Sequence, residues 1–129
     1  MKLAPGIAAL ATVVACSPDG GDYASREVPQ YGAVETRLLD GELVNFQVQM
    51  KNPASGDDVI AYSDCVAAQY ALIRGAGFVR RVTNDVTRRG GWWVGNGVYT
   101  LSDAHPGGVH TIDAEATTEA CRAGNIPTV

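Results

Sequence analysis

The chain has 129 residues, a length that fits one domain with one core, and its side chains sum to −4, with 14 acidic against 10 basic groups. No stretch approaches the roughly 20 apolar residues that a membrane-spanning helix needs. The acidic balance argues against nucleic acid as a partner.

Residues 1–15, MKLAPGIAALATVVA, carry one charge, at Lys2, and then a largely apolar run from Leu3 to Val14 interrupted by Pro5 and Gly6. A basic start, an apolar middle and small residues at the end are the order of a secretory signal peptide. The residues at its end, Val13-Val14-Ala15-Cys16, resemble the lipobox of bacterial lipoproteins, with Val at the first position where Leu is commoner. The resemblance covers about the first sixteen residues. It implies that the Cys16 thiol receives a diacylglycerol, that a peptidase cuts before Cys16, and that the new amino group is acylated. Two or three acyl chains anchor a protein stably where one does not. Ser17, a residue other than Asp, implies the outer rather than the inner membrane, with the chain facing the periplasm. In this the chain is similar to small Gram-negative envelope lipoproteins. The other reading makes Cys16 an ordinary residue near the cleavage site of a soluble secreted protein.

Residues 16–31 are rich in turn formers, with Pro18, Gly20, Gly21 and Pro29, and show neither helical nor strand period. They read as a tether, leaving residues 32–129 as the domain. The segments AVETRLL and ELVNFQVQM flank Asp40-Gly41, a dipeptide suited to a tight hairpin turn. In the second segment Val44, Phe46, Val48 and Met50 alternate with Asn45, Gln47 and Gln49, so one face is buried and one is wet.

The period then changes. Ser55, with Asp58 three residues on, makes a start resembling a capping box, and Asp57 and Asp58 complement the helix dipole. Val59, Tyr62, Val66, Tyr70 and Ile73 recur at spacings of three and four before Gly75 and Gly77. This predicts an amphipathic helix of roughly 18–20 residues with Cys65 beside its apolar stripe. FVRRVTNDVTR and WWVGNGVYTL follow as strands joined at Gly90-Gly91, and GVHTIDAEATTEAC reads as a last strand ending at Cys121. A turn at Asn96-Gly97 is disfavoured by the three-residue arm that it leaves. The expected fold class is α+β: an antiparallel sheet of about five strands in the order ββαβββ with one helix packed on a face.

Three cysteines are an odd count for an exported chain. With Cys16 lipidated, Cys65 and Cys121 remain in an oxidising compartment, and a disulfide is expected between them. The loop of about 57 residues that it closes is worth about 4 kcal/mol in the chain-entropy view. The alternatives are two buried thiols, or a metal pair that lacks CxxC spacing.

Asp103, His105, His110, Asp113 and Glu115 use the vocabulary of metal and acid–base sites, but DAHPGGVH reads as a turn entering a strand. Arg74, Arg80, Arg81, Arg88 and Arg89 make the region around the third strand basic, which fits either a polar sheet edge or an anionic partner. Trp92 and Trp93 point to opposite faces, and Trp93 shares parity with Gly95, Gly97 and Tyr99. Trp93, Gly95, Gly97 and Tyr99 form either a recognition platform or a strip over which the helix approaches the sheet closely. There is no GxSxG, HExxH or P-loop, and GAGFVR lacks the third glycine of a dinucleotide fingerprint. The expectation is a lipid-anchored envelope protein that acts by binding or as a structural accessory, with an envelope protein or glycan as partner and no catalytic residue, metal or cofactor. The alternative is an inhibitor presenting residues 103–108 to a hydrolase. A hydrolytic enzyme would require His105 or His110 to meet a carboxylate in a pocket.

Overall fold

The structure is a computed structural model that describes residues 27–127, together with Gly6. Apart from Gly6, the segment read as a signal peptide lies outside the described residues, as do Cys16 and most of the segment read as a tether. Strand β1 (Gln30–Leu38) begins two residues inside the segment read as tether. It pairs antiparallel with β2 (Leu43–Lys51), and the turn between them is closed by Leu43 N–H donating to Asp40 O at 3.4 Å, with Gly41 at φ 70°.

The alternation in β2 holds. Phe46 and Val48 are fully buried and Met50 nearly so, while Gln47 and Gln49 are half-buried on the other face. Helix α1 (Gly56–Ile73) starts where its capping residues dictate: Ser55 Oγ accepts from Asp57 N–H at 3.2 Å, and Asp58 Oδ2 accepts from Ala54 N–H at 2.7 Å. Its end is a Schellman arrangement, with Gly75 N–H donating to Leu72 O and Ala76 N–H to Ala71 O, and Gly75 at φ 80°. The buried stripe is Val59, Tyr62 and Val66 with Ala67, Ala68 and Ala71; Tyr70 is half-buried, and Ile73, expected to continue the stripe, is 67% exposed because the sheet ends beneath it.

Strands β3 (Phe78–Arg89) and β4 (Trp92–Ser102) form a hairpin through Gly90 (φ 54°) and Gly91 (φ 91°), the two positive values that a type I′ turn requires. β4 runs unbroken through Asn96-Gly97. The last segment departs from expectation. β5 is only Thr111–Asp113, and helix α2 (Ala114–Ala123) takes the rest. Asp113 Oδ1 accepts from Ala116 N–H at 3.0 Å, so the aspartate read as a strand residue is the helix cap, and Ala114, Thr118 and Cys121, four and three apart, face inward. The class is α+β as expected, with the second helix added.

All strand pairings are antiparallel, and the spatial order is β1-β2-β4-β3-β5. α1 lies across β2, β4 and β3, and α2 packs against α1. The close approach of α1 depends on β4. A Cβ on Gly95 would stand 2.7 Å from Val59 Cγ1 and 3.2 Å from Ser63 Oγ, and one on Gly97 would stand 2.8 Å from the Tyr99 ring. Gly95→Ala is therefore expected to cost about 1–3 kcal/mol, because Val59 is branched and has little freedom to yield. Urea unfolding of the variant checks this.

Candidate functional site

Of the two readings of the Trp93–Tyr99 strip, the structure fits the close approach of the helix. Trp93, Gly95, Gly97 and Tyr99 all face the helix: Gly95, Gly97 and Tyr99 are buried, and Trp93 packs against the core edge with Arg88 Cζ 3.9 Å from its ring centroid. The glycines serve the helix, which leaves these four residues turned to the core rather than presented as an open platform.

Tyr99 belongs instead to a polar tie between helix and sheet. Its hydroxyl donates to Asp64 Oδ1 at 2.6 Å, and Arg81 donates through Nε and Nη2 to the two carboxylate oxygens at 3.2 and 3.3 Å. Asn84 Nδ2 donates to the same hydroxyl at 3.4 Å. Burial, followed by the Asp64 charge and its hydrogen bond, pushes the Tyr99 phenol far above its ordinary value, against the smaller lowering effects of Asn84 and Arg81. The folded chain thus keeps a proton that the unfolded chain loses above about pH 10. Stability is fully present below that pH and falls as pH rises, by about 1.4 kcal/mol per unit for this one group. Tyr99→Phe is expected to flatten that slope in alkaline denaturation curves, with any loss at neutral pH measured separately.

The cysteines expected to pair do so: Cys65 and Cys121 are joined, both nearly fully buried, with Cα atoms 6.0 Å apart. The bond clamps α1 to α2 rather than to a strand, because Cys121 lies in the helix that replaces the expected strand. Cys16 lies outside the described residues.

The 103–115 cluster divides into separate roles. His105 packs edge-on against Phe78 at 5.3 Å and accepts from Gly107 N–H through Nδ1 at 3.0 Å. Thr111 Oγ1 donates to Gly107 O and Gly108 O, fixing the loop from its far end. His110 adopts φ 64°, and its carbonyl accepts from Arg81 N–H. Asp113 caps α2, and Glu115 lies in that helix's first turn. Among the described residues no three metal-ligating side chains converge. The arginines are dispersed as well, with Arg81 on Asp64, Arg88 on Trp93, Arg74 over Tyr70, Arg80 beside Gly108 and Arg89 on the far side of the sheet.

That far side is the surface that parity within single strands did not reveal. Gln47 and Gln49 of β2, Trp92 and Asn96 of β4, and Asp85 and Arg89 of β3 line a depression of about 510 Å³, completed by Thr87 and Val94. Register brings them together: Gln47 pairs with Asn96, and Asn96 with Asp85. Trp92 reaches across β2 to β1, its Cζ3 2.6 Å from where a Cβ of Gly32 would stand, with Lys51 Nζ 4.7 Å from its ring centroid. Asn45 Nδ2 donates to Asn96 Oδ1 at 2.6 Å and to Gly97 O at 3.0 Å, which orders the centre. Gln47, Gln49, Asp85, Thr87 and Arg89 make no side-chain hydrogen bond among the described residues, so amide, carboxylate and guanidinium groups stand free beside an aromatic ring. Such a set suits a partner rich in hydroxyl or amide groups.

A disulfide-clamped α+β domain with one face covered by helices and one face open is the class that these features define. Residues 31–125, from the first strand to just past the last helix, match the family described as YNQ4 C-terminal domain, and the chain belongs to that family. It is 29% identical over 85 residues to the "Uncharacterized 26.9 kDa protein in nqo8 5'region" of Paracoccus denitrificans, a match covering 66% of this chain and 33% of the relative. The chain thus corresponds to about a third of that relative's length. No solved structure matches.

Cys121→Ser is expected to lose up to about 4 kcal/mol of stability, the chain-entropy worth of the closed loop. The same loss is expected when the parent is unfolded under reductant, and chemical denaturation with and without reductant measures both.

Proposed function

We propose that this chain is a cell-envelope protein, lipid-anchored at Cys16 and facing the periplasm from the outer membrane, that acts by binding through its open sheet face. The observation that carries this reading is the one-sided burial of the sheet, which leaves free amides, Asp85, Arg89 and Trp92 together on the uncovered side. The lipobox-like Val13-Val14-Ala15-Cys16 supports the anchor, and the buried Cys65–Cys121 bond fits an oxidising compartment. The partner in this reading is an envelope protein or glycan, engaged by hydrogen bonding and ring stacking. No cofactor and no nucleic acid take part.

The 103–108 loop favours a second reading, an inhibitor of a hydrolase, because the His105 ring contact and the Thr111 hydrogen bonds hold it in one shape.

In a bacterial host, the parent chain is expected in the membrane fraction, labelled by a clickable palmitate analogue, and Cys16→Ser in the soluble fraction without label. An unlabelled parent in the soluble fraction overturns the anchor. A photo-crosslinking residue at Gln47 is expected to capture an envelope component, whereas capture only from His105 replaces the open face with the inhibitory loop.

A further inference from the structure

We propose that the free edge of β1 is a docking strand for a second copy of this chain, with two β1 strands pairing antiparallel along Val34–Leu38 about a two-fold axis through Thr36. Among the described residues β1 ends the sheet and pairs with β2 alone, so its outer edge carries backbone donors and acceptors with no sheet partner there. Its irregularity lies between Tyr31 and Val34, and from Val34 to Leu38 the register is unbroken.

An axis through Thr36 and perpendicular to the sheet sets Val34 opposite Leu38 of the other copy, and Glu35 opposite Arg37, in both directions. Both pairs match. Val34, Thr36 and Leu38 lie across from the buried Val48, Phe46 and Val44, so they share the apolar face, where Leu38 is 66% exposed. Glu35 and Arg37 lie on the open face and hold each other at 2.9 Å within one chain. Edges carrying charge of one sign repel a second copy, whereas this short segment carries both signs, placed to complement itself.

The other open edge, β3 beyond its pairing with β5, fits less well. It is broken between Arg81 and Thr83. An axis through Thr87 would set Asp85 opposite Arg89 but Val86 opposite Arg88, whose guanidinium already lies on Trp93. Pairing through β1 would put the helices of both copies on one side and join their open faces into one surface. The inference does not depend on the lipid anchor.

The test uses the full chain in a bacterial host that exports it. Thr36→Cys is expected to give a reductant-sensitive covalent dimer that neither the parent nor Gln47→Cys gives. In the Thr36→Cys background, Glu35→Arg sets like charges opposite each other twice and is expected to lower the dimer yield about tenfold. The double change Glu35→Arg with Arg37→Glu is expected to restore it, and an intact Cys65–Cys121 bond in each variant reports the fold. Absence of the Thr36→Cys dimer, equal yield from Gln47→Cys, or a yield indifferent to Glu35→Arg overturns the proposal.

Discussion

The contact between α1 and the glycines of β4 sets the rest of the structure. With no side chain at Gly95, Val59 and Ser63 settle directly over the backbone of the strand. That seats Val66 and the small Ala67, Ala68 and Ala71 in a core completed by Phe46, Val48 and Tyr99. α1 crosses β2, β4 and β3 and α2 lies beside it against β5, so the helices cover one side of the sheet and leave β1 largely bare. The Cys65–Cys121 bond and the Asp64 tie to Arg81 and Tyr99 act on this same layer, holding the covering helices where the apolar contacts put them. For a domain this small, a cross-link compensates for a core of limited size.

One-sidedness divides the chemistry. On the covered face the polar groups are largely paired: Tyr99 with Asp64, Tyr62 with Gly32 O, and Ser63 with Val59 O. On the open face Asn45 and Asn96 pair with each other, while the glutamines and charged groups around them stand unpaired among the described residues. The uncovered face therefore presents more unpaired polar side chains than the Trp93–Tyr99 strip.

Much of this was legible in the sequence. The alternation of β2, the Ser55 cap, the Gly90-Gly91 hairpin and the pairing of Cys65 with Cys121 each follow from local chemistry or cysteine arithmetic. Two things were not. Helix α2 was hidden because Thr111–Asp113 does begin as a strand, and the Thr117-Thr118 pair continues a β-like composition past the Asp113 cap. The face chosen by the helix was hidden because Trp92 and Trp93 are equal candidates by parity, and only the fit of Val59 against Gly95 decides between them. The open-face cluster depends on both that choice and the register of three strands, including the shift between Arg81 and Thr83 that turns Asp85, Thr87 and Arg89 toward it.

The same asymmetry explains why the sheet edges and the open face belong to one problem. α1 leaves β1 largely exposed, so Leu38 and Leu39 remain uncovered and the outer edge of β1 has no strand beside it among the described residues. Proteins blunt such edges with charge, bulges or short strands, and this chain uses all three. β5 has three residues, β3 is bulged, and β1 carries charge. Among the described strands only β1 has charges of opposite sign two residues apart on one face, which shields the edge from arbitrary strands yet leaves it complementary to its own copy. Selectivity of this kind comes from arranging like charges against wrong partners as much as from attraction to the right one.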